Sequence, residues 1–139
     1  MRLSKNAKVE LLKRVPLFAG CSKAELREVA LSFDELDLRD GHVLTQEGRP
    51  GREFFVLVDG TVRVTKDRKA IADLKGGDWF GEIALLTYQP RTATVTATSP
   101  VRVLVITDRA FRRVVETMPR IALKVLASVG ERLEHDARS

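Results

Sequence analysis

The residues with the most chemical promise sit in one stretch, Gly76-Gly77-Asp78-Trp79-Phe80-Gly81-Glu82-Ile83-Ala84-Leu85-Leu86-Thr87-Tyr88-Gln89-Pro90-Arg91-Thr92-Ala93-Thr94-Val95. Ile83 to Leu86 is apolar enough to form a short buried helical turn starting at Gly81-Glu82. The N–H groups at such a start precede the first helical hydrogen bond and attract an anion. Glycine at position 81 lets a ligand approach the backbone closely. Arg91 follows, and a guanidinium can grip phosphate oxygens through paired hydrogen bonds. Glu82 can accept hydrogen bonds from a ribose hydroxyl, as an acidic side chain does in dinucleotide sites. One anion-binding turn, one arginine and one carboxylate suit a sugar phosphate.

Each of these residues has a plainer reading when taken alone. Arg91 could bridge a loop to a strand, and Glu82 could be a helix-start carboxylate favoured by the dipole. Trp79 and Tyr88 could stack on a base, but core packing suits Trp79 better. His42 and His135 lie far apart with no metal-ligand spacing, so no metal is expected. Cys21 has no nearby histidine, no Gly-x-Ser-x-Gly occurs and no carboxylate pair has an evident task. The expectation is binding without catalysis, and no cofactor.

The run FGEIALLTYQPRTATVTA resembles the phosphate-binding cassette of the cyclic-nucleotide-binding domain family. That family includes the catabolite activator protein, regulatory subunits of cyclic-AMP-dependent kinase and cyclic-nucleotide-gated channels. The nine-residue interval from Glu82 to Arg91 fits the kinase and channel form. Upstream, Gln46-Glu47-Gly48, Phe54 to Val58, Asp59-Gly60 and Gly76-Gly77-Asp78 resemble the family's glycine-punctuated strands, so the likeness runs from about Val9 to Leu133.

The resemblance implies that Glu82 binds the ribose 2′-hydroxyl and that Arg91 pairs with the cyclic phosphate. The phosphate charge would lie near the N–H groups of Ile83 and Ala84 and the Thr92 hydroxyl, with Gly81 admitting the sugar. A hydrophobic residue from the last helix would cover the base, with Leu126 and Val129 as candidates. A hydroxyl at Thr92 is associated in the family with cGMP acceptance, yet bacterial-type domains carry it while preferring cAMP. The expected ligand is cAMP, with cGMP the alternative.

The flanking sequence must position this segment. Residues 5–32 read helical: Val9, Leu11 and Leu12 recur on one side until Pro16 ends that helix. Ser22 caps the next helix, with Glu25 completing a capping box before Leu26, Val29 and Ala30. From about Phe33 to residue 107 the period becomes two. Leu36 and Leu38 alternate with Asp37 and Arg39, and Asp40-Gly41 turns the chain into Val43-Leu44. Glu53 to Val58 and Thr61 to Lys66 flank Asp59-Gly60, a strong hairpin signal. Lys69 to Leu74 forms another strand, as do Thr92 to Thr98 and Val101 to Ile106. Ala93, Val95 and Ala97 share one face and four threonines the other.

Residues 108–136 return to helix, with Asp108 as a cap ahead of Phe111, Val114 and Val115. Pro119 opens a last helix presenting Ala122, Leu126, Val129 and Leu133. The expected fold is mainly β. It is an eight-stranded antiparallel β-roll, jelly-roll-like, with N-terminal helices and two C-terminal helices. Residues 1–139 would form one domain, with the cassette at 80–95.

Bulk properties agree. Apolar residues at 44% and charged residues at 31% suit a soluble globular chain. A single cysteine, Cys21, cannot form an internal disulfide, and the charged start MRLSKNAKVELLKRV is no signal peptide. No stretch nears the ~20 apolar residues of a membrane span, so a cytoplasmic setting is expected. Four of the five excess positive charges lie in residues 1–14. Without a recognition element they read as a solvated helix face, and no DNA binding by this chain alone is expected. The C-terminal helices leave room for a homodimer or a partner protein. The chain reads equally as a stand-alone protein or as the sensor part of a transcription regulator, channel or kinase.

Overall fold

The structure is a computed structural model that describes residues 3–87, 89–124 and 126–127. It divides into two compact units, one of β-strands over Phe33–Asp108 and one of helices from both ends of the chain.

The β unit contains eight strands: β1 (Asp34–Leu38), β2 (Val43–Thr45), β3 (Glu53–Asp59), β4 (Thr61–Lys66), β5 (Lys69–Lys75), β6 (Trp79–Phe80), β7 (Thr94–Ala97) and β8 (Val101–Thr107). They form two four-stranded antiparallel sheets, ordered β1-β8-β3-β6 and β2-β7-β4-β5. The expected antiparallel roll is present. β3 and β8 pair from Glu53↔Thr107 to Asp59↔Arg102 and sit centrally, which is why their apolar runs are nearly continuous. Inside the unit, Phe55, Leu57, Val62, Val95, Ala97, Val101 and Val103 form one buried cluster, and Phe80 packs against it. Phe80 stacks on Phe55 at 5.0 Å between ring centroids.

Three details depart from expectation. β6 holds only two residues, Trp79 pairing with Val56 and Phe80 with Phe55. Two residues carry no periodicity, so the strand is invisible to a period-two reading. β7 begins at Thr94 rather than Thr92, because the chain bends at Thr92-Ala93. Leu36 is 42% exposed although the alternation places it inward. Its strand β1 lies at the end of its sheet, paired only to β8.

The β4–β5 hairpin turns through Asp67 and Arg68, both with positive φ. That geometry matches a two-residue hairpin but is unfavourable for side-chain-bearing residues. Glu47 Oε1 supports it by accepting the Asp67 N–H at 3.0 Å.

The helical unit contains α1 (Lys5–Leu12), a 3-10 turn at Pro16–Phe18, α2 (Lys23–Leu31) and α3 (Asp108–Thr117), whose first residue belongs to the β unit. α1 stops at Leu12, four residues before Pro16. The proline acts on Val15, which is extended (φ −81°, ψ 118°), and itself opens the 3-10 turn. α2 starts with the expected capping box: Ser22 Oγ accepts the Glu25 N–H at 3.2 Å and Glu25 Oε1 accepts the Ser22 N–H at 2.8 Å. Residues 119–124 are helical, beginning at Pro119 as expected. Their buried residue is Ile121, whereas Leu126, on the side expected to carry Ala122, Leu126, Val129 and Leu133, is 64% exposed. Val129 and Leu133 lie outside the described residues. No helix among the described residues is long and apolar enough to cross a membrane.

Lys124 bonds the Glu25 carboxylate, tying the last helix to the start of α2. The Lys124 ammonium and then the Ser22 N–H hold the Glu25 pKa down, from 4.5 to about 2. A carboxylate with a lowered folded-state pKa stabilises the fold fully above about 4.5, and that contribution fades as pH falls toward 2. Glu25→Gln should therefore lower the urea midpoint near neutral pH. The gap between variant and wild type should close between pH 5 and pH 2, and a constant gap across that range would contradict this assignment.

Candidate functional site

A cavity of about 350 Å³ opens in the β unit. It falls within the size range of small-ligand pockets, ~300–1,000 Å³. Gly81, Glu82, Ala84, Arg91 and Thr92 all line it, so five of the six residues singled out from sequence converge on one space. The sixth, Ile83, lies in the same 3-10 turn, Glu82–Leu85. Trp79 is held in β6, and Tyr88 lies outside the described residues.

Arg91 is placed by its backbone. Its N–H donates to the Arg49 carbonyl at 2.9 Å, and its own carbonyl accepts the Gly48 N–H at 2.8 Å. A bridge between Pro50 and Pro90 extends this pairing. Beyond it, Thr45 Oγ1 donates to the Ala93 carbonyl at 3.1 Å, and the Glu47 N–H donates to Thr94 Oγ1 at 3.0 Å. The connection between β2 and β3 thus grips the segment that enters β7. From that anchor the Arg91 guanidinium reaches back, and Nη2 donates to the Glu53 carbonyl at 2.6 Å. Burial pushes its pKa down, against the opposing pull of the nearby Glu53 charge. A guanidinium remains a cation under such a shift. A half-buried fixed cation is a strong attractor for an anion.

Glu82 is 6% exposed and opens the 3-10 turn. The residue is engaged within the structure, while its Oε2 is buried without a hydrogen bond among the described residues. Gly81 ahead of it has φ +84°, and a Cβ there would stand 2.7 Å from Arg91 Nη1 and 2.9 Å from the Glu53 carbonyl oxygen. Only glycine meets both demands without strain. One detail differs from expectation: the Ala84 N–H donates to the Gly81 carbonyl at 3.1 Å, closing the turn. Ala84 N–H is therefore already committed, because a 3-10 turn bonds its third residue back to the position before it.

The walls are apolar and went unmarked in the sequence. Val64 and Ile71 come from the β4–β5 hairpin, Phe80 from β6 and Val95 from β7. Ile71 is 58% exposed and stands at the rim. Their signal was present as inward alternation, but core and pocket wall share that pattern. A charged end beside apolar walls can hold a molecule that joins an anionic group to a flat, less polar body. Among the described residues no group of three His, Cys, Asp or Glu side chains is arranged to hold a metal ion.

Comparison with known proteins gives this geometry a family. Residues 35–118 match the family of the cyclic nucleotide-binding domain. The chain belongs to that family and is a cyclic nucleotide-binding regulatory domain. It is 36% identical over 113 residues to a cAMP-dependent protein kinase regulatory subunit from Mycosarcoma maydis, covering 75% of this chain and 22% of that protein. The chain therefore spans under a quarter of that relative's length. Among solved structures it resembles the N-terminal domain of a transcriptional regulator from Streptomyces coelicolor A3(2), with TM-score 0.86 and 28% identity, covering 93% of this chain and 96% of that one. It also resembles cAMP-bound PfPKA-R, with TM-score 0.70 and 28% identity, covering 91% of this chain and 46% of that one.

Proposed function

We propose that the cavity binds cAMP and that the chain is a sensor which catalyses nothing itself. The observation that carries this reading is the convergence of Arg91, Gly81 and Glu82 at one end of an apolar-walled cavity of nucleotide size. Arg91 pairs with the cyclic phosphate, whose single charge one guanidinium can match. Glu82 accepts a hydrogen bond from the ribose 2′-hydroxyl, and Gly81 leaves room for the sugar. The Ile83 N–H and the Thr92 hydroxyl complete the phosphate shell. Ala84 N–H joins it only by sharing its proton with the Gly81 carbonyl. The base lies toward the apolar rim, where Ile71 stands.

The two compact units work as one domain over residues 1–139, in a cytoplasmic setting. Occupancy is reported by a ligand-dependent population shift that moves the C-terminal helices. A homodimer or partner protein reads that shift through the C-terminal helices. The chain itself binds neither DNA nor metal. The relative named for bound cAMP supports that choice of base over cGMP.

Calorimetric titration with cAMP and cGMP tests the reading. One site per chain is expected, with the tighter constant for cAMP. Tighter cGMP binding would reverse the choice of base and make Thr92→Ala the next variant, since its hydroxyl can reach the guanine amino group. No heat with either nucleotide, at concentrations well above micromolar, would overturn the sensor assignment.

A further inference from the structure

Gly51 has no counterpart among the motif residues, yet it touches the side chain on which the proposed site depends. A Cβ built on Gly51 would overlap Nε and Cζ of Arg91 and stand 2.7 Å from its Cδ. Real Cβ atoms do not approach other atoms so closely, so one partner would have to move. Gly51 lies in the connection between β2 and β3, directly after the bridge of Pro50 to Pro90 and the two hydrogen bonds that seat Arg91's backbone. The connection that anchors the Arg91 main chain thus also supplies the bare backbone against which its guanidinium lies. Gly81 provides a second bare surface, with Nη1 2.7 Å from where its Cβ would stand.

We propose that Gly51 is a positioning residue for the nucleotide site. Its missing side chain creates the slot that holds the Arg91 guanidinium against the Glu53 carbonyl and aims it at the ligand phosphate. The proposal rests on the phosphate role given to Arg91 above. The two glycines differ in a way that makes Gly51 the cleaner probe. Gly81 sits at φ +84° and faces a backbone oxygen, so any side chain there strains the main chain itself. Gly51 has no positive φ, and its three nearest neighbours all belong to the flexible Arg91 side chain. Alanine at position 51 can therefore be accommodated by swinging Arg91 aside, which leaves the strands intact and costs the site its cation.

The test has a ligand-free arm and a ligand arm. In the apo protein, Arg91 Nε–H can be followed by 15N NMR, assigned by its disappearance in Arg91→Lys. Gly51→Ala should move that resonance and speed its exchange with water, while backbone amide shifts in β8 and in β3 beyond Phe54 stay in place. An unmoved Arg91 resonance in Gly51→Ala would overturn the proposal, whatever nucleotide binding does. In the ligand arm, Gly51→Ala should weaken cAMP binding by about tenfold or more. In an Arg91→Ala background the same change should alter binding by less than about twofold, since residues acting through one group are strongly non-additive. An equal further loss in that background would place Gly51's effect elsewhere and also overturn the proposal. Wild-type affinity in Arg91→Ala alone would instead remove the phosphate role of Arg91. The ligand-free arm would still report whether Gly51 seats the side chain.

Discussion

Arg91→Ala should weaken cAMP binding by roughly 2–5 kcal/mol, or about 30- to 4,000-fold in Kd, the range for removing one partner of a buried charge pair. The size follows from the site. Arg91 is half-buried with its pKa pushed down by burial, so part of the cost of desolvating the cation is already met before ligand arrives. A phosphate entering the cavity then gains a fixed donor, and its own lost hydration goes unreplaced when that donor is removed. The apo fold should tolerate the change: Arg91 gives up the side-chain hydrogen bond to the Glu53 carbonyl, and its backbone pairing with residues 48 and 49 is independent of side chain. Far-UV circular dichroism should be unchanged. Arg91→Lys should fall between, because an ammonium restores the charge without the planar fork. Wild-type affinity in Arg91→Ala would overturn the phosphate assignment.

How much of this could be read from sequence depends on the range of the interaction involved. The capping box of α2 was legible because Ser22 and Glu25 are three residues apart and act locally. The hairpin at Asp59-Gly60 and the face shared by Val95 and Ala97 were legible for the same reason. The polar end of the cavity was legible because Gly81, Glu82, Arg91 and Thr92 belong to one short segment. Pairings between distant segments were not. Lys124 meets Glu25 across 99 residues, and nothing in either neighbourhood marks the match. Gly51 meets Arg91 only because the connection before β3 folds back on the entry to β7. In sequence it is one glycine among polar and proline residues, where a turn is the ordinary reading. On the last helix, the buried face was not legible for a related reason. Apolar residues at 121, 122, 123, 125 and 126 permit more than one stripe, and the structure buries Ile121 while exposing Leu123 and Leu126.

Saturating cAMP should raise the melting temperature of the chain by about 8–13 °C. The cavity is assembled from β4, β5, β6, β7 and the cassette turn, so it exists only when the β unit is folded. A ligand bound to the folded state alone stabilises it by ~2.7 kcal/mol at a free concentration of 100 times its Kd. For a chain of this length each kcal/mol moves the midpoint by about 3–5 °C, which gives the stated range. The comparison ligands carry the argument further. 5′-AMP shares the base and sugar but bears a second phosphate charge and an open chain, whereas the proposed site sets the Arg91 guanidinium against a single charge. It should shift the midpoint much less. Glu82→Ala should shrink the cAMP shift, because the ribose 2′-hydroxyl loses its acceptor, while adding little to the effect of 2′-deoxy-cAMP, which lacks that hydroxyl. Equal shifts from cAMP and 5′-AMP would point to a general nucleotide pocket rather than a cyclic one. If neither cAMP nor cGMP moves the midpoint, the cavity is not a working nucleotide site, and the domain belongs with interaction modules that keep the family's fold without its ligand.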